Sequence, residues 1–311
     1  MEKINGIKEI LPETLNTLMT EGKDFILINV LPQDVYNRKR LPGSKNACVF
    51  EATFPDQIAP IISGKYNQII LYGSSHRSKD AVTAAEKLVR LGYHEVYVLA
   101  GGMEAWQTAG FALEGTDAES HDDAQMKLHF NDGTYIVDTE KSGIEWTGRN
   151  PNTTHFGTLV FQNGRISVTD GLIGGTFDID MQSIKNISLE GDELQPVLIA
   201  HLESDDFFFV KMFPKATFTI KKARPLDEPT LTAPNFKFTG SLKLRGLTQE
   251  VEFPATVNLL MDNTIGIEAH FDIDRTRWDI IYGSSRFFEH LGMHLVFDLI
   301  SIQLRMVAII N

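Results

Sequence analysis

Three groups of residues in this chain are of types that carry chemistry. The first is Gly73-Ser74-Ser75-His76-Arg77-Ser78, which follows the apolar run Ile69-Ile70-Leu71-Tyr72. Backbone N–H groups between a strand and a helix N-terminus face an anion, and Arg77 adds charge, so the loop is a candidate cradle for phosphate or sulfate. A serine beside His76 is the start of a nucleophile–base pair. No carboxylate orients that histidine in the sequence, however, and a solvated loop histidine is the commoner case. Arg77 has a plain alternative as a local cap or ion pair. The second group is the single cysteine, Cys48, for which a buried, inert thiol is the ordinary state. The third is Arg275. Ile265, Ile267, Ala269, Phe271 and Ile273 share one face at a period of two, and the count puts Arg275 next on that inward face with Asp274 opposite. An arginine at the end of an apolar lining meets a phosphate or carbonyl headgroup, or else a buried carboxylate from another strand; the second is favoured. His121-Asp122-Asp123 has metal-binding types, but no second cluster at ligand spacing joins it, and no metal site is expected.

The elements that must position these residues are of two kinds. Up to about residue 115 strands and helices alternate. Leu15, Leu18 and Met19 follow Pro12 at helical spacing, and residues 25–30, 69–72 and 96–99 are short apolar runs suited to buried parallel strands. Ser78 opens a helix carrying Val82, Ala85, Leu88 and Val89 on one side and ending at Gly92, and a last short helix runs through Trp106 to Gly110. This order predicts a parallel sheet with helices on both faces. Residues 116–126 are polar and acidic and are expected as a linker. From residue 127 the pattern is all β. Asn163-Gly164 is expected as a two-residue hairpin turn, and strands are expected near residues 136–146, 175–179, 197–202, 216–220, 265–273 and 295–308. In the last of these the apolar phase flips between Leu299 and Ile300, as at a β-bulge.

The longest regular stretch spans residues 236–259. Phe236, Phe238, Gly240, Leu242 and Leu244 alternate with Asn235, Lys237, Thr239, Ser241 and Lys243. After Arg245-Gly246 the series Val251, Phe253, Ala255, Val257 and Leu259 continues inward. Half-buried antiparallel strands of this length are covered by curling or closing the sheet, so a barrel is expected. At 311 residues the chain has room for two cores, and its net charge of −12 argues against nucleic acid or an anionic membrane as the main partner. No signal peptide or membrane span is read, and a cytoplasmic location is expected.

Leu41-Pro42-Gly43-Ser44-Lys45-Asn46-Ala47, the loop at 72–78, Leu99-Ala100-Gly101-Gly102, Trp106 and Gly110 together resemble the landmarks of a rhodanese domain. That resemblance implies a cysteine at the end of the central strand that becomes a persulfide, its anion stabilised by the loop amides. Here Gly73 takes the cysteine position when counted from the strand and Tyr72 when counted back from Arg77, because the loop is one residue short. Asn29-Val30-Leu31 stands where the family has Asp-Val-Arg. The module is therefore expected to be degenerate, without catalytic residues, and left to a protein partner or to anion sensing. The alternative is a rhodanese-related sulfurtransferase or another anion-loop enzyme.

Farther on, Ser142 to Gly148 in the order Ser-Gly-Ile-Glu-Trp-Thr-Gly, His155-Phe156-Gly157, residues 201–208, Phe213-Pro214-Lys215-Ala216-Thr217-Phe218, residues 240–254 and residues 271–278 resemble the YceI-like family. This implies a lipocalin-like barrel that binds a polyisoprenoid or another long-chain amphiphile, with no other cofactor. The residues expected at such a ligand are His155, Phe207, Phe208, Phe238, Leu242, Phe253, Phe271, Arg275, Trp278 and Tyr282. The whole is expected as a multidomain chain: an α/β rhodanese-like domain (1–115), the linker (116–126) and an all-β antiparallel barrel (127–311). A homodimer is compatible with it.

Overall fold

A computed structural model describes residues 6–119, 130–227, 232–260 and 264–311; the His121-Asp122-Asp123 motif and the linker from residue 120 onward lie outside them. The chain divides into two compact units, Met1–Ala124 and Gln125–Asn311.

The first unit contains β1 (Ile7–Ile10), α1 (Pro12–Thr20), β2 (Ile26–Asn29), α2 (Gln33–Arg38), β3 (Lys45–Asn46), α3 (Phe54–Ile58), β4 (Ile69–Tyr72), α4 (Asp80–Arg90), β5 (Val96–Leu99) and α5 (Gly102–Thr108). Its five strands are all parallel in the order β1-β5-β4-β2-β3. Successive side chains of a strand point to opposite faces, which is why β4 reads as a continuous apolar run: Ile69 and Leu71 join a core with Ala84 and Leu88, while Ile70 and Tyr72 join another with Leu15, Met103 and Trp106. The helix expected from Ser78 starts at Asp80. Its buried stripe is Ala81, Ala84, Ala85 and Leu88, and Val82 lies outside it, 43% exposed. The start of the expected linker belongs to this unit: Glu114 pairs with Arg40 through both backbone bonds, and the Thr116 and Asp117 amides donate to Asn37 and Arg38.

The second unit is built from β6 (Gly133–Val137), β7 (Gly143–Arg149), β8 (Thr154–Thr169), β9 (Leu172–Asn186), α6 (Gln195–Glu203), β10 (Lys215–Pro225), β11 (Phe236–Leu244), β12 (Leu247–Leu259), β13 (Ile265–Asp274) and β14 (Leu299–Ile310). Strands β7 to β14 close into an antiparallel barrel, β7 pairing with both β8 and β14. Short β6 continues the position of β7 toward the other end, pairing with the same two neighbours. Across the break between them the Ser142 hydroxyl accepts the Val307 N–H at 2.9 Å, keeping the ladder satisfied.

Several local expectations give way to tertiary structure. Asn163-Gly164 is not a turn but lies inside the 16-residue β8. A Cβ at Gly164 would crowd Val137 and Phe177, so this glycine serves close packing. The hairpin is made instead by Asp170-Gly171, both left-handed at φ 51° and 73°, as a type I′ turn requires. The strand expected at 197–202 is α6, started by Pro196, whose missing N–H costs nothing in a first helical turn. β14 has no bulge between Leu299 and Ile300: its register with β13 is unbroken, and Leu299 faces outward at the rim. Asn235, expected outward, is fully buried and bonds both the N–H and the carbonyl of Val257; Leu259, expected inward, is exposed at a strand end.

Candidate functional site

In the α/β unit the loop after β4 carries a carboxylate of its own. Asp80, 4% exposed, accepts the Ser74 N–H at 3.0 Å and the Ser74 hydroxyl at 2.9 Å through Oδ2, and the Ala81 N–H at 2.6 Å through Oδ1. A side chain at Gly73 would overlap that carboxylate. Above the loop, Glu104 lies 3.2 Å from both His76 Nδ1 and Arg77 Nη2, so the histidine has the carboxylate neighbour that the local sequence lacks, and Arg77 has an ion-pair partner. Ser75 and Ser78 cap the local turn by accepting the Arg77 and Asp80 amides. Tyr72 points away from the loop into the core, where its hydroxyl accepts the Leu41 N–H at 3.0 Å and meets Ser44 Oγ at 2.8 Å. Burial pushes this phenol up to about 12, against the opposing effect of those bonds. Cys48 is buried, with its amide bonded to Gln57. Neither Asp80 nor Glu104 is signalled by local pattern, since each reaches the loop only through the packing of α4 and α5.

The barrel holds a cavity of about 130 Å³, walled almost entirely by apolar side chains. It lies at the end where β7 meets β8, α6 follows β9, and the long connection from β13 to β14 passes. Tyr135, Val168, Ile173, Val257 and Ile265 fill the opposite half of the barrel without a share in its wall. Of the residues expected at a ligand, Phe207, Phe208, Leu242, Phe253, Phe271 and Arg275 line it. The other four do not. Phe238 lies beneath, stacked on Phe253 at 5.8 Å and 9°. Trp278 is wholly buried and donates to the Leu242 carbonyl at 3.0 Å. Tyr282 packs outside Phe207 and bonds His294, and His155 bonds Thr153 and Ser188 near the rim. The wall also holds Ile144, Trp146, Met181, Leu202, Val296 and Phe297, which the inward alternation of β7 and β9 makes legible only in part.

Arg275 does point inward, and it is 1% exposed. Its principal partners are backbone carbonyls: Nε donates to Phe297 at 3.1 Å, Nη1 to Ile280 at 2.5 Å, and Nη2 to Tyr282 at 2.7 Å and Val296 at 3.1 Å. Asp298 is at 3.8 Å, a supporting charge rather than a direct hydrogen-bond partner. Burial lowers this guanidinium below its ordinary value, with Asp298 and Asp274 opposing. Arg286 bridges the same two acids, at 2.7 Å from Asp274 and 3.0 Å from Asp298. Burial raises the Asp274 carboxyl, but its bonds to Thr276 and Arg286 outweigh this and hold it below the usual carboxylate range. Among the described residues no cluster of metal-ligating side chains is found, and no helix is long and apolar enough to cross a membrane.

A parallel α/β sheet followed by a closed antiparallel barrel with one apolar cavity end defines a two-module protein of the lipocalin-like barrel class. Residues 135–308 match the YceI-like domain, more than half of the chain, and residues 11–109 match the Rhodanese-like domain. The chain belongs to the YceI-like family and carries a rhodanese-like domain ahead of the barrel. No curated protein matches it. Among solved structures it is similar to BcnA of Burkholderia cenocepacia, with a TM-score of 0.42 and 19% identity over 55% of this chain and 98% of that one. It is also similar to a polyisoprenoid binding domain from Saccharophagus degradans implicated in plant cell wall breakdown (0.40, 12%, 58% and 100%). A thiosulfate sulfurtransferase from Pseudomonas aeruginosa matches at a TM-score of 0.32 with 20% identity, over 35% of this chain and 20% of that one.

Proposed function

We propose that the barrel carries a long-chain apolar molecule, a polyisoprenoid or comparable amphiphile, and that the rhodanese-like unit is not a sulfurtransferase but a module for a protein partner. The observation that carries the first part is the apolar cavity confined to one barrel end. Burying a chain there is favourable by about 0.8 kcal/mol per CH₂. At about 130 Å³ the cavity is close in size to the engineered ~150 Å³ cavity that takes a single benzene, so a long chain must displace wall side chains. Phe207 and Phe208 lie on the segment between α6 and β10, while Phe253 and Phe271 stack at 4.1 Å across the interior. Exposed Leu194, Val197, Phe287, Phe288 and Met293 on the connections at this end give an apolar ligand a compatible approach. For the second part, neither Tyr72 nor Gly73 supplies a thiol, and the Ser74 amide is already taken by Asp80, which favours a partner over anion sensing. Native mass spectrometry of the purified protein followed by solvent extraction is expected to release a long-chain species. No retained species, together with no tryptophan quenching by added retinol up to its solubility, would overturn the carrier reading.

A further inference from the structure

Gly148 lines the barrel cavity, yet the packing of the fold gives it no reason to be glycine. At Gly157, Gly164, Gly175 and Gly240 a Cβ would collide with the Lys185 carbonyl, the Val137 side chain, the Arg165 carbonyl and the Phe218 ring, so close packing forbids a side chain there. At Gly148 nothing lies within 4 Å of the place that a Cβ would take, and its φ is outside the left-handed region. Glycine weakens a strand and marks a place where a ligand or another backbone comes close; here no backbone does. Ile144 and Trp146 are buried on the inward face of β7, and half-buried Gly148 is the next inward position toward the rim. The wall meets the surface at the same place. Among the described residues of the wall Phe297 alone is exposed, at 46%, and its N–H donates to the carbonyl of Arg149, the neighbour of Gly148, at 2.9 Å. Elsewhere at this end the wall is held shut, by Phe207 against His201 and Tyr282 and by Arg275 on four carbonyls of the connection.

Resting on the carrier reading above, we propose that the ligand enters and leaves the barrel between Gly148 and Phe297, and that the missing side chain at position 148 sets the width of this mouth. A side chain there would stand in the path of the ligand rather than in packed protein. The ligand leads with an apolar end, because the wall it passes is almost entirely apolar and the Arg275 donors are spent on carbonyls.

Gly148→Leu tests this on the full chain with retinol as the probe, its association followed by tryptophan quenching, and Gly143→Leu is the control. Gly143 lies on the same strand with the same open space around its missing Cβ, but it is not part of the wall. Gly148→Leu is expected to fold as the wild type does, to slow retinol association and to weaken its binding about ten-fold, the worth of two excluded methylenes. Gly143→Leu is expected to bind like the wild type. An association rate unchanged by Gly148→Leu, or slowed equally by both substitutions, overturns the proposal while leaving the carrier reading intact. If Gly148→Leu does not fold, Gly148→Cys decides. Cys48 is buried, so the introduced thiol is the one that N-ethylmaleimide reaches, and bound retinol is expected to shield it. Modification at one rate with and without retinol overturns the proposal. A wild type that retinol does not quench also overturns it, and the carrier reading with it when no species is retained.

Discussion

The Asp80 carboxylate takes up the amide that an anion at the loop would need, and it does so at the point where a residue at position 73 would place its side chain. Adding the thiol alone therefore should not revive sulfur transfer. Gly73→Cys is expected to show no thiosulfate turnover and to lose stability, because its Cβ and the carboxylate compete for one volume. In Gly73→Cys with Asp80→Ala the overlap is gone and the Ser74 and Ala81 N–H groups are released toward the sulfur. That thiol should titrate below the ordinary value of about 8.5, read from thiolate absorbance. Turnover by the single variant would refute this account of the loop. The lack of a thiol in the loop is legible from Tyr72 and Gly73 alone. Asp80 was not, since it reads as an ordinary first-turn acid of α4, and Glu104 comes to His76 from 28 residues away.

Among elements, the 20-residue connection between the Trp278 turn and β14 has little regular structure, and it holds its shape through Arg275. Four of its carbonyls, from Ile280, Tyr282, Val296 and Phe297, converge on one guanidinium. Arg275→Met keeps the stem but leaves these acceptors without a donor. A loss of about 3–5 kcal/mol is expected in denaturant melts of ligand-free protein with unchanged slopes. A loss under about 1 kcal/mol would mean that water replaces the guanidinium. The inward direction of Arg275 followed from the period-two pattern of β13, and β11 and β12 were legible for the same reason. The arginine's partners were not, because an irregular connection has no periodicity from which its carbonyls can be placed. α6 shows the converse failure: Val197-Leu198-Ile199-Ala200 is apolar at neither period, and Pro196 was the single clue to a helix start. Asn163-Gly164 and Asp170-Gly171 offered equally good local turns; the choice between them rests on the packing of Gly164 against Val137 and Phe177, which is tertiary.

At the scale of the whole molecule, each unit has a core drawn from its own residues: two clusters flank the parallel sheet, and a third fills the barrel. Two thermal transitions are therefore expected, each answering to its own variant. Tyr72→Phe leaves the buried Leu41 N–H without an acceptor, a cost of about 1–3 kcal/mol, and should lower only the α/β transition, by roughly 5 °C or more. Arg275→Met should lower only the barrel transition, by roughly 10 °C. The α/β transition should also carry an alkaline signature. The Tyr72 phenol is held in the folded state above its ordinary value of 10.0, at about 12, so the unfolded chain releases this proton first. The stability due to the neutral phenol is full below pH 10 and is lost as the pH rises toward 12. Tyr72→Phe should remove that part of the alkaline decline while the barrel transition keeps its own. Calorimetry of the wild type and both variants across this range checks the prediction. One transition that both substitutions move together would mean that the two cores unfold as a single cooperative body.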